Sequence, residues 1–326
     1  MRTGKKKTLL VDCDTGVDDA IALLYLLAGP DVEVCAITTV FGNSSAAAAA
    51  RNSLIVLDVA GRTDAIPVAK GCEVSLAGER PPPATHVHGH GGLGGLEMGE
   101  PLGRVAAQSG AELIVEVARQ RPGEVYLLAT APLTNVAVAL RMEPQLPQLL
   151  AGLTIMGGAA MAPGNITPAA ESNIWRDPEA AQAVLSAPWR TTLVPLDATM
   201  RELMTESQRL EMAASGSLVG RFAAAILEHY FEFYASVFGR KSCPCHDILA
   251  AAIAAGDVVP KRAMTIGVTV DTSHGPGRGA TICDTRGQYK GELEQPGATC
   301  TVVLETGGDL ATSVVRRLAG AAPRAQ

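Results

Sequence analysis

Four aspartates stand within eight residues near the start of the chain: Asp12, Asp14, Asp18 and Asp19. This crowding restricts what the chain can fold into more than any other feature, because carboxylates so close together repel one another unless a cation lies among them. The apolar run at residues 8–11 predicts a short buried strand, and the run at 20–27 predicts a helix. The acids therefore lie in a strand-to-helix turn.

The position of this acidic turn predicts a ligand site. In open α/β sheets, ligands bind at the carboxyl ends of the strands, and carboxylate oxygens are the ligands that Ca²⁺ and Mg²⁺ prefer. An aspartate at the start of a helix is often only a cap that favours the helix dipole. Capping accounts for Asp18 or Asp19 but not for all four acids, so the turn predicts a metal or sugar site.

The remaining pattern predicts an α/β fold: an open, mostly parallel (mixed) sheet flanked by helices, with a Rossmann-like core and the site at the C-terminal ends of the strands. Strand-like runs at 32–40, 66–69, 125–129, 153–156 and 191–196 alternate with helical runs at 44–60, 133–140 and 178–185, as in βαβ units. A helical region at 205–255, three short strands within 264–304 and a helix at 309–318 follow. Residues 81–103, rich in proline and glycine, predict a loop without regular structure. We expect a single domain over residues 1–326.

Composition and charge exclude several classes of function. Lysine and arginine number 27 against 33 acids, and the net charge of -6 leaves no basic surplus for a nucleic-acid partner. No segment is long and apolar enough for a membrane span, and the apolar stretch after the basic residues 5–7 breaks at Asp12, too early for a signal peptide. Seven cysteines without framework spacing are typical of reduced thiols. We therefore expect a cytoplasmic protein.

Other polar groups also follow predicted strands or begin predicted helices. Residues 130–135 leave backbone carbonyls free at the end of one strand, and Asn165, Glu171 and Asn173 after another strand suit sugar hydroxyls. His246-Asp247 places an acid and an imidazole at a helix start. Each group alone is an ordinary loop or cap, but their common position at strand ends predicts a shared site.

A zinc site is a separate possibility at Cys243-Pro244-Cys245-His246, where two thiols and an imidazole lie close together in sequence. The spacing differs from the usual two-residue gap, and no second Cys/His pair follows. The sequence therefore disfavours zinc here.

Four motifs together resemble the signatures of the inosine-uridine preferring nucleoside hydrolase family. They are residues 12–20, residues 130–135, residues 164–175 and His246-Asp247, and they occur in the family's order over nearly the whole chain. The resemblance implies an open α/β sheet that holds Ca²⁺ at the strand ends. It also implies an enzyme of purine or pyrimidine salvage that hydrolyses the N-glycosidic bond of ribonucleosides, and a homo-oligomer, dimer or tetramer.

The resemblance further implies roles for individual residues. The Ca²⁺ ligands would be Asp14, Asp19, Asp247 and the backbone carbonyl of Thr130. Asp14 would also be the general base, and His246 the acid that protonates the leaving base. The residues that contact substrate would be Asp18 and Asn173 at the ribose 2′ and 3′ hydroxyls, Asn43 in support, Asn165 and Glu171 at the 5′ end, and His88, Tyr230 and Tyr234 near the base.

Three departures from the family pattern bear on substrate preference. Thr15 stands where proline is common, and Ser172 stands where an aromatic residue is frequent, which opens the pocket near the sugar and base. Cys243-Pro244-Cys245 is an unusual lead-in to His246.

The implied chemistry is physically consistent. Breaking a ribosyl C–N bond builds an oxocarbenium-like sugar, and a Ca²⁺ ion can orient the ribose diol and the attacking water. The departing base gains negative charge, and an imidazole with an unperturbed pKa near 6.5 is a natural proton donor.

Two rival hypotheses remain at this stage. Asp12-Cys13-Asp14-Thr15-Gly16 also resembles the nucleophile motif of Mg²⁺-dependent haloacid-dehalogenase-like phosphatases, although there threonine and glycine come in the opposite order. That chemistry would make Asp12 a covalent nucleophile, but it leaves Asp18-Asp19 and His246-Asp247 without a role. The other rival is a sugar- or metal-binding protein without turnover, against which the intact Asp14 and His246 count.

Overall fold

The computed structural model describes residues 6–320, so the first residue of the basic run at 5–7 lies outside the described residues. Within this range the strands are β1 (Lys7–Cys13), β2 (Val32–Thr39), β3 (Val68–Lys70), β4 (Val125–Ala129), β5 (Gly152–Met156), β6 (Thr191–Val194), β7 (Leu203–Thr205), β8 (Ser242–Pro244), β9 (Arg262–Ile266), β10 (Val268–Val270), β11 (Thr281–Cys283) and β12 (Cys300–Glu305). The helices are α1 (Val17–Leu27), α2 (Ala46–Val59), α3 (Thr85–His88), α4 (Gly110–Gln120), α5 (Thr134–Met142), α6 (Leu146–Leu149), α7 (Ser172–Arg176), α8 (Pro178–Leu185), α9 (Leu196–Thr199), α10 (Glu206–Ala214), α11 (Leu218–Phe238), α12 (His246–Ala255) and α13 (Leu310–Ala319). Two 3₁₀ turns lie at His90–Gly92 and Arg286–Lys290.

Eight strands form one sheet in the order β3-β2-β1-β4-β5-β6-β12-β9. Seven of them run parallel, and β9 pairs antiparallel with β12 at the edge. The predicted mostly parallel, mixed sheet is therefore confirmed. The strand order reverses between β1 and β4, and such a switch point opens a crevice at the carboxyl ends of the two strands.

Helices cover both faces of this sheet. Helices α1, α11, α12 and α13 contribute to one buried apolar cluster, and α4, α5 and α8 contribute to the other. Because both faces are covered, β1 is apolar without alternation, and Leu9, Leu10 and Val11 are all buried.

Helices α1 and α12 lie side by side and both begin at the carboxyl edge of the sheet. At the start of α1 the backbone N–H of Gly16 donates to Asp19 Oδ2 at 2.9 Å, which satisfies one free donor of the first turn. Helix α12 begins at His246 and ends at Ala255, and the φ of 86° at the following Gly256 suits the left-handed cap. The two helices thus deliver acidic first turns to the same place.

Three predictions about elements were wrong. The loop at 81–103 contains helix α3 and a 3₁₀ turn, because glycines with positive φ such as Gly89 and Gly91 let the chain fold back between them. The region at 205–255 is not wholly helical, since β8 pairs with β7 across a long sequence separation that helical periodicity does not reveal. Residues 264–304 lie in four strands rather than three, and two of these form a separate hairpin, β10 and β11.

Helix α4 was missed from sequence although its start carries a capping box, in which Ser109 and Glu112 satisfy each other's backbone N–H groups. Within residues 6–320, no helix combines the length and the apolar character needed to cross a membrane.

Candidate active site

The acidic turn lies at the switch point of the sheet, directly after β1. Asp14 follows the strand, Asp18 and Asp19 occupy the first turn of α1, and all three side chains are buried. Gly16 makes this close turn possible, since a Cβ there would lie 2.6 Å from the Nδ1 atom of His88. The turn therefore packs directly against the segment that carries His88.

Three buried carboxylates converge at the first turns of α1 and α12. Asp18, Asp19 and Asp247 each offer an oxygen atom, and these atoms lie within 4.8 Å of one another. Burial raises the pKa of all three carboxyls, and the neighbouring acids raise the pKa of Asp19 and Asp247 further. The Oδ1 atom of Asp18 is buried without a hydrogen-bond partner. A set of hard oxygens with unrelieved repulsion is what a divalent cation binds.

Asn43 ties Asp14 to this cluster. Its backbone N–H donates to Asp14 Oδ2 at 2.7 Å, and its Nδ2 donates to Asp14 Oδ1 at 2.9 Å and to Asp19 Oδ2 at 3.2 Å. The neighbouring Gly42 is required, because a Cβ there would lie 1.8 Å from Asp14 Oδ2. Burial, followed by the charge of Asp19, holds the pKa of Asp14 well above its usual range.

The end of β4 closes the cluster on the other side of the switch point. The hydroxyl of Thr130 donates to Asp19 Oδ1 at 2.8 Å, and the backbone carbonyl of Thr130 accepts from Asn173 Nδ2 at 3.0 Å. Asn173 Nδ2 also donates to the carbonyl of Met156 at 3.2 Å. The first turn of α7 is thereby fastened to the ends of β4 and β5.

The loop between β5 and α7 is held by its own polar side chains. Glu171 caps α7, since its carboxylate accepts the backbone N–H groups of Asn173 at 2.8 Å and Ile174 at 3.2 Å, together with that of Gly158 at 2.9 Å. Asn165 Oδ1 accepts the backbone N–H of Ser172 at 2.9 Å. Asn165 and Glu171 therefore come together beside Asn173.

A chain of hydrogen bonds runs from the acid cluster through two tyrosines of α11. The hydroxyl of Tyr230 donates to Asp18 Oδ2 at 3.1 Å, and the rings of Tyr230 and Tyr234 lie 4.9 Å apart. The hydroxyl of Tyr234 lies 3.0 Å from His246 Nε2, and His246 Nδ1 lies 2.8 Å from the hydroxyl of Thr199. His246 thus has a partner on each ring nitrogen, and burial lowers its pKa to about 3.

His88 reaches the same site from α3. Its Nδ1 accepts the backbone N–H of Val17 at 3.2 Å, so this nitrogen carries no proton and the ring is the neutral Nε2–H tautomer. Burial lowers the pKa of His88 to about 3, which agrees with a neutral ring. The ring lies 5.6 Å from that of Tyr230.

Asp12 supports the site from behind. Its Oδ1 accepts from the hydroxyl of Thr38 at 2.6 Å and from Asn135 Nδ2 at 2.8 Å, and its Oδ2 is buried without a partner. Burial raises its pKa to about 7. A fully buried, hydrogen-bonded carboxyl with little access to substrate is a poor covalent nucleophile, which counts against the phosphatase hypothesis.

The structure also places two residues in the site to which the sequence analysis gave no role. Thr199 arrives on α9 after β6 and contacts His246. Arg176, at the end of α7, is buried close to Asp14 and Glu171, whose charges oppose the lowering of its pKa by burial. Thr199 lies just after the predicted strand at 191–196 and Arg176 just before the predicted helix at 178–185, but neither position indicates these contacts. Cys243 and Cys245 are free buried thiols, and the metal-capable cluster among the described residues contains no cysteine.

Comparisons with known proteins agree with this geometry. The family model described as "Inosine-uridine preferring nucleoside hydrolase" matches residues 9–310. The chain is 36% identical over 255 residues to the "Probable uridine nucleosidase 2" of Arabidopsis thaliana, covering 77% of this chain and 79% of that protein. It is 36% identical over 248 residues to the "Inosine-uridine preferring nucleoside hydrolase" of Crithidia fasciculata, covering 76% and 78%.

Solved structures show the same similarity along almost the full length. A plant nucleoside hydrolase superposes with a TM-score of 0.90 at 28% identity, covering 97% of this chain and 99% of that chain. An inosine-guanosine nucleoside hydrolase superposes with a TM-score of 0.84 at 28% identity, with the same coverage. The chain belongs to the inosine-uridine preferring nucleoside hydrolase family, whose members are glycosidases that act on N-glycosyl bonds.

Proposed function

We propose that this chain hydrolyses the N-glycosidic bond of ribonucleosides to ribose and free nucleobase, with Ca²⁺ as its cation. The observation that carries the proposal is the convergence of Asp18, Asp19 and Asp247, buried and close together, at the switch point of the sheet. Family membership supports the reaction class. The phosphatase hypothesis finds no support in the comparisons.

The residues present fit a hard divalent cation. All the candidate ligands are oxygen atoms, and the buried carboxylates repel one another. Asp14, Asp19, Asp247 and the carbonyl of Thr130 would hold the ion. When bound, Ca²⁺ would supply charge that orients the ribose diol and lowers the pKa of the attacking water.

Asp14 is the proposed general base. Asn43 donates to both of its oxygens and so fixes the plane of the carboxylate before any substrate arrives. A fixed carboxylate near the anomeric carbon can take the proton of the attacking water without further reorganisation.

Asp18 and Asn173 are the proposed ribose contacts. A 2′ hydroxyl would supply the missing donor to Asp18 Oδ1. Asn173 already binds the strand ends through Nδ2, which leaves its Oδ1 to accept from a sugar hydroxyl. Asn165 and Glu171 lie beside it and address the 5′ end in this proposal.

His246 is the proposed proton donor to the leaving base, together with Tyr234. When the hydroxyl of Thr199 donates to Nδ1, the ring carries its proton on Nε2, toward Tyr234. Burial favours the neutral ring, so the imidazolium form needs a negative charge nearby. The departing base supplies that charge as the C–N bond breaks.

We also propose that the chain forms one domain, works in the cytoplasm and assembles as a homodimer or homotetramer. The family match over residues 9–310 supports a single unit. Seven free cysteines support a reducing compartment. The oligomer rests on the family resemblance.

A panel of substrates tests the proposed function. Purified protein is incubated with uridine, cytidine, inosine, guanosine and adenosine, before and after chelation and re-addition of Ca²⁺, and the free base is measured. We expect base and ribose to appear, and the rate to fall on chelation and return with Ca²⁺. Matched 2′-deoxynucleosides should react about 10⁴-fold more slowly, because they leave buried polar groups unpaired.

Two outcomes would contradict this proposal. Phosphate release from p-nitrophenyl phosphate without cleavage of any nucleoside would favour the phosphatase. Binding of ribose or Ca²⁺ without turnover of any substrate would favour a non-catalytic binding protein.

A further inference from the structure

Arg176 is a buried cation without a counterion in contact. Its side chain lies at the C-terminal end of α7 and is only 3% exposed. Nε donates to the hydroxyl of Ser172 at 3.3 Å, and Nη1 donates to the backbone carbonyl of Pro82 at 2.9 Å. Among residues 6–320 its guanidinium forms no ion pair with a carboxylate. A buried charge without a contacting partner is costly to the fold, so its retention calls for an explanation.

The guanidinium lies on the side of the pocket assigned to the sugar 5′ end. Ser172, on which Nε rests, also donates its backbone N–H to Asn165 and follows Glu171 in sequence. Ser172 and Arg176 lie one turn apart on α7, so the serine hydroxyl can accept from Nε. The negative charges of Asp14 and Glu171 oppose the lowering of the pKa of Arg176 by burial, so the guanidinium lies near both acids.

Glu171 does not serve as the missing partner. Its two carboxylate oxygens already accept three backbone N–H groups, and it forms no hydrogen bond with Arg176. Arg176 therefore keeps unused N–H donors beside a locally satisfied acid.

A buried arginine without a carboxylate in contact is suited to bind a phosphate group. The planar guanidinium presents paired donors that match two phosphate oxygens, and such charge-assisted pairs are strong where water is excluded. A ribonucleoside 5′-monophosphate carries its phosphate at the 5′ end of the sugar, next to the positions of Asn165 and Glu171.

We propose that Arg176 forms a subsite for the 5′-phosphate, so that this chain also cleaves ribonucleoside 5′-monophosphates. The inference rests on the proposed nucleosidase activity and widens its substrate class. The bond changes stay at the anomeric carbon: the C1′–N bond breaks, its electron pair leaves with the base, and the water oxygen bonds to C1′. One water proton goes to Asp14, which later returns it to solvent, and the other stays on the new C1′ hydroxyl. The base takes its proton from His246, which regains one from solvent. The products are free base and ribose 5-phosphate.

Paired substrates and a charge-removing variant test this subsite. Uracil release is measured from uridine and from uridine 5′-monophosphate, and ribose 5-phosphate is identified to exclude prior dephosphorylation. We expect the wild type to cleave both. In Arg176→Met, the ratio of kcat/KM for the nucleotide to kcat/KM for the nucleoside should fall at least tenfold, and Arg176→Lys should restore part of it. The matched control is Arg119→Met, which removes an exposed arginine paired with Glu143 and should leave the ratio unchanged.

Two outcomes would overturn the inference. One is cleavage of uridine by the wild type without any release of uracil from the nucleotide. The other is an equal loss on both substrates in Arg176→Met, which would make Arg176 a structural residue that fastens Pro82.

A binding measurement tests the phosphate subsite even if the protein cleaves no substrate. Ribose 5-phosphate should raise the Tm of the wild type more than ribose does, and Arg176→Met should abolish the difference. If no nucleoside is cleaved, the proposed function fails while this comparison still tests the phosphate subsite. An equal response of wild type and variant to ribose 5-phosphate would refute it.

Discussion

Helices α1 and α12 carry polar groups at both ends, and the two ends differ in how these groups are paired. At the first turns, Asp18, Asp19 and Asp247 crowd together, and one oxygen of Asp18 has no partner. At the other ends, the hydroxyl of Tyr25 donates to Asp257 Oδ2 at 2.9 Å, and Arg317 Nη1 donates to the same oxygen at 3.0 Å.

At the C-terminal ends of the two helices, the polar groups find their partners within the protein. The guanidinium of Arg317 also lies 3.9 Å from the centre of the Tyr25 ring, so acid, cation and aromatic ring satisfy one another. At the first turns the charges are of one sign, and no lysine or arginine within residues 6–320 forms an ion pair with them. Clustered perturbed acids in a crevice mark functional sites. The same pair of helices therefore separates a stabilising network from a reactive one.

Removal of the proposed base should have the largest effect at the reactive end. Asp14→Asn keeps the shape of the side chain but removes a negative charge and the proton acceptor. We expect kcat/KM for the best nucleoside to fall by more than the roughly 10²- to 10⁴-fold that one general base contributes. Thermal stability in chelator should hold or rise, because repulsion with Asp19 is relieved. Activity within tenfold of the wild type would reject the assignment.

Removal of the proposed acid should have a smaller and substrate-dependent effect. His246→Ala should lose roughly 10²- to 10⁴-fold on natural nucleosides, whose bases leave poorly as anions. A p-nitrophenyl riboside needs no protonation and should be largely spared. Equal losses on the two substrates would point to damage at neighbouring Asp247, and would shift the search for the acid to His88, Tyr230 or Tyr234.

Removal of the cation should destabilise the reactive end in a pH-dependent manner. Burial raises the pKa of Asp14, Asp19 and Asp247, so the cation-free folded state binds protons more tightly than the unfolded chain. Its stability therefore falls as pH rises above the unfolded carboxyl value of about 4. A cation binds the ionised carboxylates and cancels this loss.

The measurement is the gap in Tm between samples with Ca²⁺ and with chelator, taken from pH 5 to pH 8. The gap should widen with pH, as the contribution of Ca²⁺ to the free energy of unfolding rises toward the roughly 2.7 kcal/mol expected at a Ca²⁺ concentration 100 times Kd. The buried histidines act in the opposite sense, because their lowered pKa values add stability as pH rises from about 3 to about 6.5. They are present in both samples and largely cancel. A gap that narrows with pH would contradict a carboxylate cation site.

A substitution at the paired end should have the smallest effect, and it should change stability rather than activity. Asp257→Asn removes the charge that faces Arg317 but keeps a hydrogen-bonding group for Tyr25. We expect a loss of about 1 kcal/mol in the free energy of unfolding for this partly exposed pair, with kcat unchanged. Urea denaturation and a nucleoside assay measure the two. A large loss of activity with unchanged stability would erase the distinction between the ends.

The sequence was sufficient to predict what depends on local patterns. The strand, acidic turn and helix around Asp14 and Asp19 were predicted because apolar runs and capping acids are adjacent in sequence. Motifs at the ends of successive strands predicted a common edge. In the structure Asn43 and Thr130 both bind Asp19 there, and Asn173 binds the carbonyl of Thr130. The catalytic and binding roles of these residues stay predictions.

What could not be predicted depends on distant contacts. Thr199 meets His246 across 47 positions of sequence, and nothing near either residue indicates the pairing. Arg176 directly follows the motif at residues 164–175, but its burial and its lack of a carboxylate in contact appear only when Pro82 and Ser172 are seen around it. The β7–β8 pair escaped detection for the same reason.

The glycines beneath the acid cluster have a consequence for how this chain can vary. A methyl group on Gly42 would overlap Asp14 Oδ2, and one on Gly16 would press on His88 and Asn43. Neither glycine carries a side chain that could touch a nucleoside, yet each leaves free the space that the reactive side chains occupy. In a library of random substitutions selected for activity, variants at these two positions should therefore be lost as strongly as variants at the acids. Mutational tolerance would then identify residues that shape the pocket as well as those that carry its chemistry.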